Sequence, residues 1–93
     1  MPENFIENAI RIYYSNPTLG NMEIRELFGI KALDAVKRKK KTALELMEKN
    51  NIPVWFTGRV DTETAYKAWG LDIKKLERSY AKLKEFGMLE VIV

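Results

Sequence analysis

The sequence predicts a mostly α-helical single domain of about five helices, with a short β-hairpin and a C-terminal tail suited to an edge strand. Three observations carry this. Apolar residues recur at three- and four-residue spacing in long stretches that end at turn-formers, namely Ser15-Asn16-Pro17, Asn50-Asn51-Ile52-Pro53 and Gly87. A β-preferring run around a glycine, Val54-Trp55-Phe56-Thr57-Gly58-Arg59-Val60, lies between two of them. Ninety-three residues at 46% hydrophobic fill one core and are too few for a second.

The first helix is expected over residues 3 to 14, with Phe5, Ile6, Ala9, Ile10 and Tyr13 on one stripe and Glu3 and Glu7 at its positive end. Asn21 is read as the cap of a second helix of about two turns, whose inward residues are Ile24, Leu27 and Phe28. Gly29 makes the corner, and a third helix runs from about Ala32 to Lys49 with Leu33, Val36, Leu44 and Met47 marking its inward face. The hairpin occupies 53–60, its Trp55 and Phe56 read as core aromatics. Asp61 caps a short helix from Thr62 to Trp69 that Gly70 ends. Asp72 caps the last helix, 72–86, on which Trp69, Ile73, Leu76, Tyr80 and Leu83 form a stripe for packing on the first helix. The same stripe also fits an a/d pattern over two heptads, and the alternative reading of it is the seam of a homodimer. Met88 to Val93, apolar and β-branched, are read as a strand along the hairpin's edge.

Composition narrows the chemistry. With neither cysteine nor histidine, disulfides, thiol redox chemistry and the usual zinc sites are excluded. The acids fall into no metal-ligand spacing, the glycines form no phosphate-cradling loop, and no nucleophile elbow is present, so neither an enzyme nor a cofactor or metal is expected. No apolar run approaches the roughly 20 residues of a membrane span, and the start is not that of a signal peptide; a soluble cytoplasmic protein is the expectation.

What remains is charge. The chain carries +3 overall, of which Lys37-Arg38-Lys39-Lys40-Lys41 supply five, leaving the remainder at −2. A concentrated cationic site on a mildly acidic domain suits a polyanion. Five adjacent cations repel one another in a helix, and a merely solvated face would more cheaply alternate with Glu. The bland alternative is that Lys39 and Lys40 lay their stems over the core and reach water.

The two helices about Gly29 give that charge a frame. Counted from Asn21, the segment resembles the helix-turn-helix pattern in Ile24, Phe28, Gly29, Ile30 and Ala35, which match inward or corner positions. It departs at Arg25, where the family has a small residue, and at Arg38, where it has an apolar one; the departures imply a shifted crossing or a core contact from Val36. The stretch from Ile30 to Leu71 resembles the winged variants among excisionases and small regulators of phages and mobile elements. That resemblance implies a double-stranded DNA-binding protein, a transcriptional regulator or excisionase-like accessory factor, with a recognition helix over Lys31 to Lys41 and a wing tip at Thr57-Gly58-Arg59. Lys31, Lys37, Arg38, Lys40 and Lys41 are the expected groove and phosphate contacts, Asp34 an acceptor for a cytosine amine, and Thr57 and Arg59 the wing contacts. Two other readings use the same cations: an adaptor that meets an acidic protein surface, and an RNA-binding module.

Overall fold

The computed structural model describes the backbone of residues 5–92 and the side chains of 5–85. Its elements in chain order are α1 (Phe5–Ser15), β1 (Thr18–Leu19), α2 (Asn21–Phe28), α3 (Leu33–Lys49), β2 (Val60–Asp61), α4 (Thr62–Ala68) and α5 (Ile73–Ile92). The fold class stands as read: five helices and one small antiparallel pair.

Helix ends follow local chemistry. After α1, the Asn16 amide and its Nδ2 both donate to the Ile12 carbonyl, closing the last turn before Pro17. The N-cap of α2 is Gly20, one residue earlier than expected, and the Glu23 carboxylate reaches back to its N–H at 2.9 Å. Gly29 has φ 64°, a left-handed conformation that L side chains adopt at a cost, and its N–H and that of Ile30 return to the Arg25 carbonyl. At the end of α3, Asn51 takes the left-handed position with φ 57°, while Ile52 N–H bonds Met47 O at 2.8 Å and Asn51 N–H bonds Glu48 O at 3.2 Å. Asp61 caps α4 as expected, accepting from the Thr64 N–H at 3.0 Å and its hydroxyl at 2.7 Å. Asp72 likewise accepts from the N–H groups of Lys74 and Lys75 at the start of α5.

These helices surround one core built from α1 (Ala9, Ile12), β1 (Leu19), α2 (Ile24, Leu27), α3 (Val36, Ala43, Met47), β2 (Val60) and α4 (Ala65, Tyr66). Each fully buried Ile, Leu, Val or Met side chain of this set contributes about 1.5–3 kcal/mol. Tyr66 fills the centre; its hydroxyl donates to Ala9 O at 2.6 Å, and burial pushes the phenol well above its usual range. α3 packs chiefly on α4, and α5 packs on α1, as the stripe from Ile73 predicts.

Four expectations change. β2 pairs with β1, in the register Thr18 to Asp61 and Leu19 to Val60, so the strand opposite Val60 comes from before α2 and not from Val54–Phe56. Two residues per strand leave no local hydrophobic period to detect, and the β propensity of Val54–Phe56 is not matched by a neighbour able to pair with it. Val54, Trp55 and Phe56 lie in a loop and are 52%, 74% and 61% exposed, where Trp55 and Phe56 were expected in the core. Leu33 and Leu44 are also exposed; the inward stripe of α3 runs instead through Val36, Lys40, Ala43 and Met47. Finally, α5 passes through Gly87 to Ile92, where a helix stop and an edge strand were expected. A glycine costs a helix interior only about 1 kcal/mol, which does not by itself end it. The expected start of α1 at residue 3 and the last tail residue, Val93, fall outside the described residues.

Candidate nucleic-acid interface

The basic run lies on one continuous helix, and α3 sorts its members by direction. Lys37, Arg38 and Lys41 are exposed, as are Lys31 before the helix and Asp34 in its first turn. Positions 34, 37, 38 and 41 are spaced i, i+3, i+4 and i+7, so they share a face. Among the described residues the ion pairs are Arg11 with Glu26, Arg59 with Glu23 and Lys67 with Glu63; none engages this face. One turn further on, Glu45 and Glu48 replace the cations, which confines the positive surface to the N-terminal half of α3. A shallow groove of about 350 Å³ runs along it between Lys37, Lys40, Lys41, Leu44, Glu45 and Glu48.

Lys39 and Lys40 are half-buried at the flanks of this face, Lys40 along the groove beside Lys37 and Lys41. The Lys39 ammonium stands 4.4 Å from the centroid of the Phe28 ring, and its main-chain carbonyl accepts from Trp69 Nε1 at 2.9 Å. Trp69 in turn meets Phe28 edge to face with centroids 5.1 Å apart. Lys40 is half-buried, and burial together with the neighbouring Arg59 cation holds its ammonium below the ordinary lysine range. Lys40 was expected among the DNA contacts; the stem-over-core alternative describes it and Lys39 better, because both occupy the inward side of a helix whose apolar positions are too few to fill it.

Arg59 is likewise corrected. It was expected at an exposed wing tip, yet its Nε donates to Thr18 Oγ1 at 2.8 Å and its Nη2 to Thr18 O at 2.8 Å and to Glu23 Oε1 at 2.7 Å. The guanidinium therefore ties the end of the 53–59 loop to β1 and the start of α2. An added Cβ at Gly20 would fall 2.7 Å from Arg59 Nη1, so a side chain there would displace the guanidinium. Burial opposes ionisation of Glu23, but the Gly20 N–H and Arg59 outweigh it and hold the carboxyl below its usual range. Thr57 is exposed, at a turn closed by Arg59 N–H to Phe56 O at 3.1 Å.

Arg25, at the position where the resemblance departs, is half-buried and is not paired with an acid among the described residues. Its Nε is enclosed without a hydrogen-bond partner among the described residues. Val36 is fully buried and supplies the core contact that Arg38 cannot. Of the residues read as a dimer seam, Trp69 and Leu76 pack against this chain's own core, whereas Leu83 is exposed.

The exposure of Val54-Trp55-Phe56 was missed. The signal available was three bulky apolar residues in succession: a strand's alternation cannot turn all three inward, and Pro53 and Gly58 bound the segment like a loop.

Among the described residues there is no group of His, Cys, Asp and Glu that could hold a metal ion, and no helix long and apolar enough to cross a membrane. No family model, curated protein or solved structure matches the chain.

Proposed function

We propose that this chain binds double-stranded DNA through the N-terminal half of α3, as a small transcriptional regulator or excisionase-like accessory factor. The observation that carries the reading is the cationic face of Lys31, Lys37, Arg38 and Lys41, without an ion pair among the described residues, at and along the start of the helix that follows a left-handed corner. Helix-turn-helix proteins place the second helix of such a pair in the major groove, with side chains near its N-terminus on base edges. Lys31 then offers a donor to guanine and Asp34 an acceptor to the cytosine amine, while Lys37, Arg38 and Lys41 neutralise phosphates. Arg59 supports this surface indirectly, tying the 53–59 loop to β1 and the start of α2.

The test is fluorescence anisotropy against random B-form duplex across a salt series, for the wild type and for the triple variant Lys37→Glu, Arg38→Glu, Lys41→Glu. Log-linear loss of binding with salt, abolished in a folded triple variant, supports the reading. A wild type that ignores duplex DNA at low salt overturns it and turns the face toward an acidic protein surface. Tighter binding to A-form or single-stranded RNA than to B-DNA turns it toward RNA.

A further inference from the structure

We propose that the hollow at the corner between α4 and α5 is a binding site for a small aromatic carboxylate. Its volume of about 500 Å³ is that of a small-molecule site, and its lining takes no residue from α3. The proposal therefore stands apart from the DNA-binding reading and is tested without nucleic acid. Tyr13 of α1 and Tyr66 of α4 form the walls with Leu71 and Ile73. The two tyrosine rings meet edge to face with centroids 5.0 Å apart. Tyr66 offers the hollow its ring, because its hydroxyl is engaged by Ala9 O and its carbonyl by Leu71 N–H.

The shape is set before any ligand arrives. Gly70 N–H bonds Lys67 O at 3.1 Å and Leu71 N–H bonds Tyr66 O at 2.8 Å, which turns the chain out of α4 with Gly70 at φ 74°. An ideal Cβ at Gly70 meets nothing within 4 Å, so open space reaches the backbone there. Trp69, next along the wall, is held by Lys39 O and by the edge of Phe28. A site fixed in this way loses little side-chain freedom when it is filled. A single benzene ring fills a cavity of about 150 Å³, so a two-ring body and its substituent fit here.

Charge decides the class of occupant. Four charged side chains line the hollow: Glu63, Lys67, Asp72 and Lys74. Three are engaged already, Glu63 with Lys67 at 3.6 Å, and Asp72 as the cap that accepts from the N–H groups of Lys74 and Lys75 at 3.0 and 3.2 Å. The Lys74 ammonium is exposed and forms no ion pair among the described residues. An occupant that packs an aromatic body on Tyr13 and Tyr66 and sets one carboxylate against Lys74 meets both features. An aromatic ammonium would be repelled by Lys74, and a neutral arene would leave it without a partner.

Calorimetry and amide NMR spectra of the full chain, titrated at neutral pH with naphthoate, naphthylmethanol and naphthylmethylammonium, test the site. Naphthoate is expected to bind most tightly of the three, with amide shifts gathered at Tyr13 and along 63–74. Lys74→Gln is expected to weaken naphthoate about fivefold and leave naphthylmethanol unchanged. Lys75→Gln makes the same change in net charge outside the lining and is expected to leave naphthoate binding as it was. Both lysines are exposed, so both variants keep the fold. Absent shifts, or shifts scattered over the surface with all three compounds, overturn the site. Tighter binding of the ammonium compound, or equal weakening by Lys74→Gln and Lys75→Gln, overturns the assignment of a carboxylate to Lys74.

Discussion

At the scale of single residues, Glu23 and Arg59 together join three segments, β1, the start of α2 and the end of the 53–59 loop. The Glu23 carboxylate accepts from Gly20 N–H and Arg59 Nη2, and Arg59 carries the connection to Thr18 and to the neighbourhood of Lys40. A charged hydrogen bond of this kind contributes about 1.5–3 kcal/mol, reduced to roughly 1 kcal/mol where solvent reaches the guanidinium, as it does here. The folded carboxyl titrates below the ordinary 4.5, so between the folded value and 4.5 the unfolded chain binds more protons. Its stabilisation is therefore complete above 4.5 and is lost as pH falls through the folded value. Glu23→Gln is expected to lower stability by about 1 kcal/mol at neutral pH, and by progressively less as the solution is acidified. Urea unfolding of both proteins across that pH range measures the gap; a gap that stays constant would show that the charge of Glu23 is irrelevant to it. None of this was legible in the sequence beyond an acid suited to the first turn of α2. Its partner lies 36 positions away and carries no local mark.

At the scale of elements, the parts of the chain governed by neighbours in sequence were readable and the parts governed by distant pairing were not. Asp61, Asp72, Gly29 and the Asn51-Ile52-Pro53 stop each act within a few residues, and each does in the fold what its chemistry predicts. The β1–β2 pair depends on two dipeptides brought together by the packing of α1, α2 and α4, so the β-preferring Val54–Phe56 stood out in the sequence while the true partner, Thr18–Leu19, did not. The face of α3 misled for a related reason: Leu33 and Leu44 read as inward by hydrophobicity, whereas the helix uses Lys39 and Lys40 stems to cover that side. Asp61 joins the two regimes, being both a strand residue through its backbone and a cap through its side chain. Asp61→Ala should remove only the cap, costing about 1 kcal/mol. The melting temperature should fall by about 4–8 °C in a domain of this size, with unchanged far-ultraviolet circular dichroism below the transition. A loss of folded signal at low temperature would mean the side chain also holds the strand pair.

At the scale of the molecule, the formal charge of +3 understates the field that a polyanion would meet at α3, because five of the sixteen cations, Lys37 to Lys41, are consecutive there. Four exposed cations, Lys31, Lys37, Arg38 and Lys41, make the expected phosphate count of one chain about four. At about 0.9 counterions released per contact, the logarithm of the binding constant should fall with the logarithm of salt at a slope of about −3.6. Two chains on neighbouring half-sites would double the slope to about −7. A homodimer cannot use the whole stripe from Trp69 to Leu83, since Trp69 and Leu76 already face this chain's own core; its seam has to draw on the distal part of α5 around Leu83. The slope and Leu83 are therefore linked. If the protein binds DNA as a dimer, Leu83→Glu should bring the steeper slope back to the single-chain value while the protomer stays folded, because Leu83 is exposed within it. If it binds as a monomer, the wild type should already show the shallower slope and the substitution should leave it alone. Sedimentation velocity on the same samples tells the cases apart independently of DNA, and a steep slope in a protein that sediments as a monomer with or without Leu83 would place the additional cations on α5 itself, where Lys74, Lys75, Arg78, Lys82 and Lys84 are all exposed.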